Sequence, residues 1–181
     1  IHHRVKNNLQ TVSSLLRLQG RRLEAPEAKA AIEESVRRIR SIAVVHEILA
    51  QDGRDDVATI EIVKPIVDMV QSALVSPEQG IRFRIVGDGP SLPAATASSL
   101  AVILTELLQN AVEHGYPEET ARGQITVGLA ASPQQLEVSV HDDGVGLPPG
   151  FDLGKASGLG LTIVRTLASG DLAGEISLRA G

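Results

Sequence analysis

The spacing of apolar residues changes once along this chain, at the polar stretch Gln51-Asp52-Gly53-Arg54-Asp55-Asp56. That change limits the fold more than any other feature. Before it, apolar residues recur only at helical spacing; after it, helical stretches alternate with segments of period two. From Val5 to Leu23, positions Val5, Leu9, Val12, Leu16 and Leu23 form a stripe that Leu15 and Leu18 widen. Gly20 weakens helix propensity, and Glu24-Ala25-Pro26 marks a turn, because proline fits best in the first turn of a following helix. A second helix is predicted from Pro26 to Ala50, with Ile32, Val36, Ile39, Ala43 and Ile48 on one side. Helix, short turn and helix make an antiparallel hairpin. Two helices cannot bury both stripes alone, so two chains are expected to pair their hairpins into a four-helix bundle. The alternative is a hairpin packed on its own C-terminal domain.

Beyond the boundary, Ile60 to Leu74 reads as a helix with Pro65 near its first turn, and Ile81 to Val86 alternates like a half-buried strand. A long helix is predicted from Ala94 to Glu113, then strands at Gln124 to Ala130 and Gln135 to His141. A glycine-rich loop, a helix from Leu159 to Ala168 and a last strand from Glu175 to Leu178 complete the pattern. The expected class is α+β. A helical hairpin over residues 1–52 precedes a two-layer α/β sandwich over 57–181 with a mixed, mostly antiparallel sheet.

Only 2% of the residues are aromatic although 43% are hydrophobic, so the core must be built from Leu, Ile, Val and Ala. Aromatic platforms for nucleobases are not expected, and a formal charge of -5 argues against direct nucleic-acid binding. The early arginines Arg17, Arg21, Arg22, Arg37, Arg38 and Arg40 read as a solvated helix face. Cysteine is absent, and no apolar run approaches the roughly 20 residues of a membrane span. A cytoplasmic chain with no membrane span is therefore expected. The start at Ile1, directly inside a dense motif, suggests a fragment.

Three separated segments supply the chemistry of a nucleotide pocket. In Glu106-Leu107-Leu108-Gln109-Asn110-Ala111-Val112-Glu113-His114-Gly115-Tyr116, the residues Glu106, Asn110 and Glu113 or His114 share one helix face. The Asn110 amide oxygen suits magnesium, which keeps most of its waters and bridges phosphates; Glu106 suits one of those waters. In Asp142-Asp143-Gly144-Val145-Gly146-Leu147-Pro148, the Asp142 carboxylate can accept from the exocyclic amino group of adenine, and Gly144 and Gly146 let the backbone turn beside the base. In Ser157-Gly158-Leu159-Gly160-Leu161-Thr162, two glycines open a helix whose first N–H groups can cradle phosphate oxygens. A Walker signature is missing, and Gly158 lies too near the end of the chain for a Rossmann fingerprint.

The order and separation of these segments resemble the N, G1 and G2 boxes of the ATPase superfamily shared by histidine kinases, type II topoisomerases, the ninety-kilodalton heat-shock chaperone and mismatch-repair ATPases. The stretch His2-His3-Arg4-Val5-Lys6-Asn7-Asn8-Leu9-Gln10 is similar to the phosphoacceptor box of the histidine kinases related to the HWE kinases. Within these, the chain resembles soluble actinobacterial sensor kinases whose regulators carry an RNA-binding antiterminator domain. The resemblance implies ATP and Mg2+ as cofactors, with Asn110 as the magnesium ligand, Glu106 assisting, and Asp142 reading adenine. It implies further that Gly158, Leu159, Gly160, Leu161 and Thr162 line the phosphates and that His114 and Tyr116 lie along the nucleotide. The sequence departs from the pattern at Glu113, where relatives often carry a basic phosphate contact, which leaves that role to Lys155 or other groups. Ala156 stands where a glycine is common, Phe151 lies in a short loop, and the chain stops just after Leu178, before the last strand expected of the fold.

The motif places the acceptor immediately before Arg4, which favours His3 over His2. A neutral imidazole nitrogen is a nucleophile near neutral pH, and its phosphoramidate passes phosphate onward. The implied function is an ATP-dependent protein-histidine kinase, a homodimer that autophosphorylates and then donates to an aspartate on a response regulator receiver domain. Rival readings are an anti-sigma-type serine kinase and a degenerate ATPase-like binding module. His46 is read as structural.

Overall fold

The computed structural model describes residues 2–52, 55–117, 122–155 and 158–179. The side chains of His2, His3, Gln51, Asp52 and Lys155 lie outside the described residues, as do Ala156 and Ser157. Helix α1, His2–Gly20, and helix α2, Pro26–Asp52, form the antiparallel hairpin. Lys6 of α1 pairs with Glu47 of α2, and the backbone of Gly20 lies against Ile32, so the two helices stay level along their length. Val5, Leu9 and Leu16 are half-buried against α2, whereas Val12, Leu15 and Leu18 stay exposed.

The remaining elements are β1 (Asp56–Ala58), α3 (Thr59–Leu74), β2 (Gly80–Val86), β3 (Ser91–Pro93), α4 (Ala94–Gly115), β4 (Arg122–Ala131), β5 (Leu136–Asp142) and α5 (Leu159–Ser169). Strands β1 and β3 pair antiparallel. In the main sheet, of order β2-β4-β5, β2 runs parallel to β4, and β4 antiparallel to β5. Alternation decides the sheet's faces: Ile125, Val127 and Leu129 of β4 point into the core with Ile81, Phe83, Ile85, Val138 and Val140. Helices α3 and α4 form the opposing layer through Ile62, Val63, Ile66, Val70, Leu104 and Leu108. Pro65 lies inside α3 rather than in its first turn, and the buried apolar face of that helix outweighs the hydrogen bond the proline removes. Helix α4 is long and apolar enough to cross a membrane, but 72% of its most apolar window is buried in this fold, which makes it the core helix.

Two sequence expectations change. The short strands β1 and β3 were not visible as alternating runs, because three residues are too few to show a period. The last strand, expected at Glu175 to Leu178, does not form: residues 173–179 join no sheet. Ile176 packs instead with Ile103, Val164, Ala168, Leu167 and Leu172 between α4 and α5, so its apolar side chain is partly buried without strand pairing.

The hairpin and the sandwich also touch. Val45 and Leu49 of α2 are fully buried in the same cluster as Val57, Ile62 and Leu104. Leu104 is wholly buried at the centre of that cluster. Leu104→Ala is expected to cost about 2 to 5 kcal/mol in urea denaturation; a loss below about 1 kcal/mol would show that α4 is not the core helix.

Candidate functional site

Helix α4 brings the three expected segments together. At its C-terminal end a Cβ on Gly115 would lie 2.9 Å from Asp142 Oδ1, and the Val145 N–H donates to the Gly115 carbonyl at 3.0 Å. A Cβ on Gly144 would collide with that same carbonyl, so only glycine permits this approach. The Asp142 carboxylate accepts the Gly144 N–H at 3.1 Å, closing the turn on itself. Gly146 takes a positive φ of 76° with open space around it. Nine residues earlier on α4, Glu106 Oε2 lies 2.5 Å from where a Cβ on Gly160 would sit, so the start of α5 closes on the other end of the same helix. The two contacts are about 13 Å apart along α4, a span comparable with an extended nucleoside triphosphate. Half-buried Asn110 lies between them.

Gly158 begins α5 with an extended conformation and no side-chain cap, while Thr162 returns both its N–H and its hydroxyl to the Gly158 carbonyl. Leu159 is exposed, Leu161 and Gly160 are half-buried, and His114 is exposed at the end of α4. Lys155 closes a 3-10 turn at Leu153–Lys155, and its side chain lies outside the described residues.

Two candidates behave differently from expectation. Tyr116 is not free to lie along a nucleotide: it is 4% exposed, and its hydroxyl donates to Asp143 Oδ1 at 2.5 Å with the Gln124 carbonyl 3.0 Å away. Burial, and then the bond to Asp143, push the phenol up well beyond its usual range. The Asp143 carboxyl is held below the usual carboxylate range, first by the Tyr116 hydroxyl and then by the Gln124 N–H. Tyr116 and Asp143 therefore anchor the Asp-Gly loop to β4. Glu106, expected beside magnesium, is 2% exposed and gives both oxygens to Arg38, at 2.6 Å from Nε and 2.9 Å from Nη2.

Arg37 and Arg38 are thus not a solvated face. Arg38 also pairs with Glu34, and Arg37 Nε donates to Gln109 Oε1 at 3.1 Å, while Gln109 in turn donates to Glu113 at 3.3 Å. Burial works against the Arg38 charge, but the hydrogen bonds and charges of Glu106 and Glu34 outweigh it and raise its pKa above the ordinary value. The Glu34 to Arg38 spacing was visible in the sequence as a helical pair. Their partner Glu106, 68 residues away from Arg38, was not.

No group of three or more His, Asp or Glu side chains suited to a metal occurs among the described residues. The Asn110 amide oxygen is a suitable protein donor for magnesium held largely by water and phosphate, whereas both Glu106 oxygens are taken by Arg38.

Residues 1–74 match a histidine kinase family model, and residues 84–170 match that of the histidine kinase-like ATPase domain. The chain belongs to the histidine kinases, in the subgroup related to the HWE kinases. The sensor histidine kinase PdtaS of Mycobacterium tuberculosis is 46% identical over 179 residues, covering 99% of this chain and 36% of that protein. Blue-light-activated histidine kinase 2 of Erythrobacter litoralis is 26% identical over 185 residues, covering all of this chain and 52% of that protein. The chain thus spans about a third to a half of these relatives. The histidine kinase domain of an Erythrobacter litoralis blue-light activated kinase shares the fold, with a TM-score of 0.74, 21% identity, and coverage of 95% of this chain and 90% of that one.

Gly144→Ala is expected to destabilise the protein by about 1 to 3 kcal/mol through the clash with Gly115, read as a lowered melting temperature; Gly146→Ala should cost about 1 kcal/mol from its positive φ alone. Asp143, with its depressed folded pKa, stabilises the fold above its unfolded pKa of about 4, and this is lost as pH falls through the lower folded value. The melting-temperature gap between wild type and Asp143→Asn should therefore be full at neutral pH and close in acid. A gap unchanged down to about pH 2 would contradict the assignment.

Proposed function

We propose that this histidine kinase core binds Mg-ATP along α4 and phosphorylates His3. The observation that supports it best is the approach of the Asp142 loop and the Gly160 helix start to two ends of the same helix, at Gly115 and Glu106, with half-buried Asn110 between them in the sequence. Asp142 is oriented by its turn to accept from the adenine amino group. Gly158 to Leu161 offer N–H groups to the phosphates, and Leu159, Leu161 and Thr162 line them, with Lys155 as an additional cation. Asn110, assisted by Glu106, would hold magnesium, which neutralises phosphate charge as the transfer proceeds. His114 stands at the open end of the same helix.

In the reaction, a ring nitrogen of His3 forms the N–P bond as the bond from the γ-phosphorus to the ADP oxygen breaks, and the ring proton leaves to solvent or a base. The phosphoramidate then donates to an aspartate on a response regulator receiver domain, in this reading one with an RNA-binding antiterminator output. The exposed Val12, Leu15 and Leu18 on α1 support a homodimer joined through the hairpins. The reading includes a cytoplasmic location.

Incubation with γ-labelled ATP and Mg2+ tests the proposal. Acid-labile, alkali-stable label is expected on wild type and His2→Gln and absent from His3→Gln. Label that survives in His3→Gln and disappears in His2→Gln would move the acceptor to the neighbouring histidine, and label on a serine would sink the histidine assignment.

A further inference from the structure

Two successive residues at the end of α4 hold the loop that carries Asp142. The Gly115 carbonyl accepts the Val145 N–H at 3.0 Å. The Tyr116 hydroxyl donates to Asp143 Oδ1 at 2.5 Å and accepts the Asp143 N–H at 3.2 Å. Asp143 is tied to the start of β4 as well: its carboxylate accepts the Gln124 N–H at 2.7 Å, and its own N–H reaches the Gln124 carbonyl at 3.3 Å. A phenol has one proton, so Tyr116 cannot donate to Asp143 and to the Gln124 carbonyl, 3.0 Å away, at the same time. The carboxylate is nearer and charged, and takes it.

The two partners differ in freedom. Tyr116 is packed in the apolar core, and a Cβ on Gly123 would collide with both its ring and Asp143 Oδ1, so ring and carboxylate meet over bare backbone. Asp143 is exposed. The buried phenol is therefore a preorganised donor, and the bond orders the exposed residue rather than the reverse. Asp142 is the residue immediately before. Its backbone stands opposite Ile125 in the ladder with β4, and its Oδ1 accepts the Gly144 N–H at 3.1 Å, which leaves Oδ2 for a ligand. Where that oxygen points follows from where the backbone of residues 142–144 is held. A hydrogen bond to a base needs the oxygen within about 2.7 to 3.2 Å of the amino nitrogen, so a loop displacement of about 1 Å is enough to lose it.

We propose that Tyr116 is a positioning residue for base recognition: from behind the Asp-Gly loop its hydroxyl fixes Asp143 and thereby aims Asp142 at the exocyclic amino group of adenine. The inference rests on the nucleotide reading given above. Its consequence is a loss confined to the base contact, because the phosphate end of the site lies about 13 Å away along α4. A merely structural role for the tyrosine would weaken all triphosphates alike, or none.

Calorimetry on the 181-residue chain with Mg2+ tests this by comparing ATP with purine riboside triphosphate, which has the same ring system and phosphates but lacks the amino group. Wild type is expected to prefer ATP by about tenfold or more. Tyr116→Phe keeps the buried ring and should weaken ATP about five- to tenfold while leaving the purine riboside triphosphate within about twofold, so the preference nearly disappears. Asp143→Asn retains an oxygen that can accept from Tyr116 and Gln124 and should keep most of the preference. Asp143→Ala, at an exposed position, should lose it and tests the same link if Tyr116→Phe does not fold. The double variant Tyr116→Phe/Asp143→Ala should be no worse than either single one, because the two residues act as one unit. Equal weakening of both triphosphates, or an unchanged preference for ATP, in folded Tyr116→Phe and Asp143→Ala overturns the positioning role. A wild type that does not distinguish the two triphosphates, or binds neither, instead overturns the nucleotide reading, and the proposal with it.

Discussion

Helix α4 is enclosed by α2, α3, α5 and the sheet, so each polar group it carries must find a partner inside the fold. Leu100, Leu104, Leu108 and Val112 supply the apolar side that holds the layers together. Glu106 and Gln109 are almost as buried, and both are satisfied by arginines from α2. A carboxylate at 2% exposure without Arg38 would be an uncompensated buried charge, a loss of about 3 to 5 kcal/mol when such a pair is broken from one side. The same helix is therefore the core element, the wall of the candidate nucleotide site and the surface on which the stalk docks.

This overlap explains which parts of the fold were legible in the sequence. The long elements were: α1, α2, α3, α4, β4, β5 and α5 all carry enough residues for their period to show. The short strands β1 and β3 depend on register with each other, through Val57 opposite Leu92, and no local pattern encodes that pairing. The segment around Ile176 has the alternation of a strand, yet a single apolar residue can be buried equally well between two helices. Period alone does not decide between those outcomes.

For the site, the fold brings the loop that carries Asp142 and the helix start at Gly160 against α4. What residue type and order could not supply was long-range polarity. Tyr116 reads from the sequence as an aromatic beside a ligand, but Gln124 and Asp143 hold its hydroxyl in the interior. Arg38 reads as one of several exposed cations, and only the fold shows that it meets a carboxylate 68 residues later. Gly115 and Gly144 carry no chemistry by themselves; their importance is that both lack a Cβ where two backbones nearly touch.

The hairpin resolves what looked like a choice between pairing with a second copy and packing on its own domain. An antiparallel pair of helices carries more than one apolar surface, because the residues left over from the seam between them point two ways. On α2 those residues are Val45 and Leu49, and they are buried. On α1 they are Val12, Leu15 and Leu18, with exposures of 44%, 56% and 51%. Docking of α2 on the sandwich consumes none of the α1 face, so the intramolecular contact and a helical interface with another chain are physically compatible. The two surfaces also differ in kind. The α2 surface mixes fully buried aliphatics with charge-assisted bonds, whereas the α1 residues Val12, Leu15 and Leu18 offer exposed apolar area. The contacts that Arg38 makes with Glu106 and Glu34 are therefore separate from the exposed α1 face.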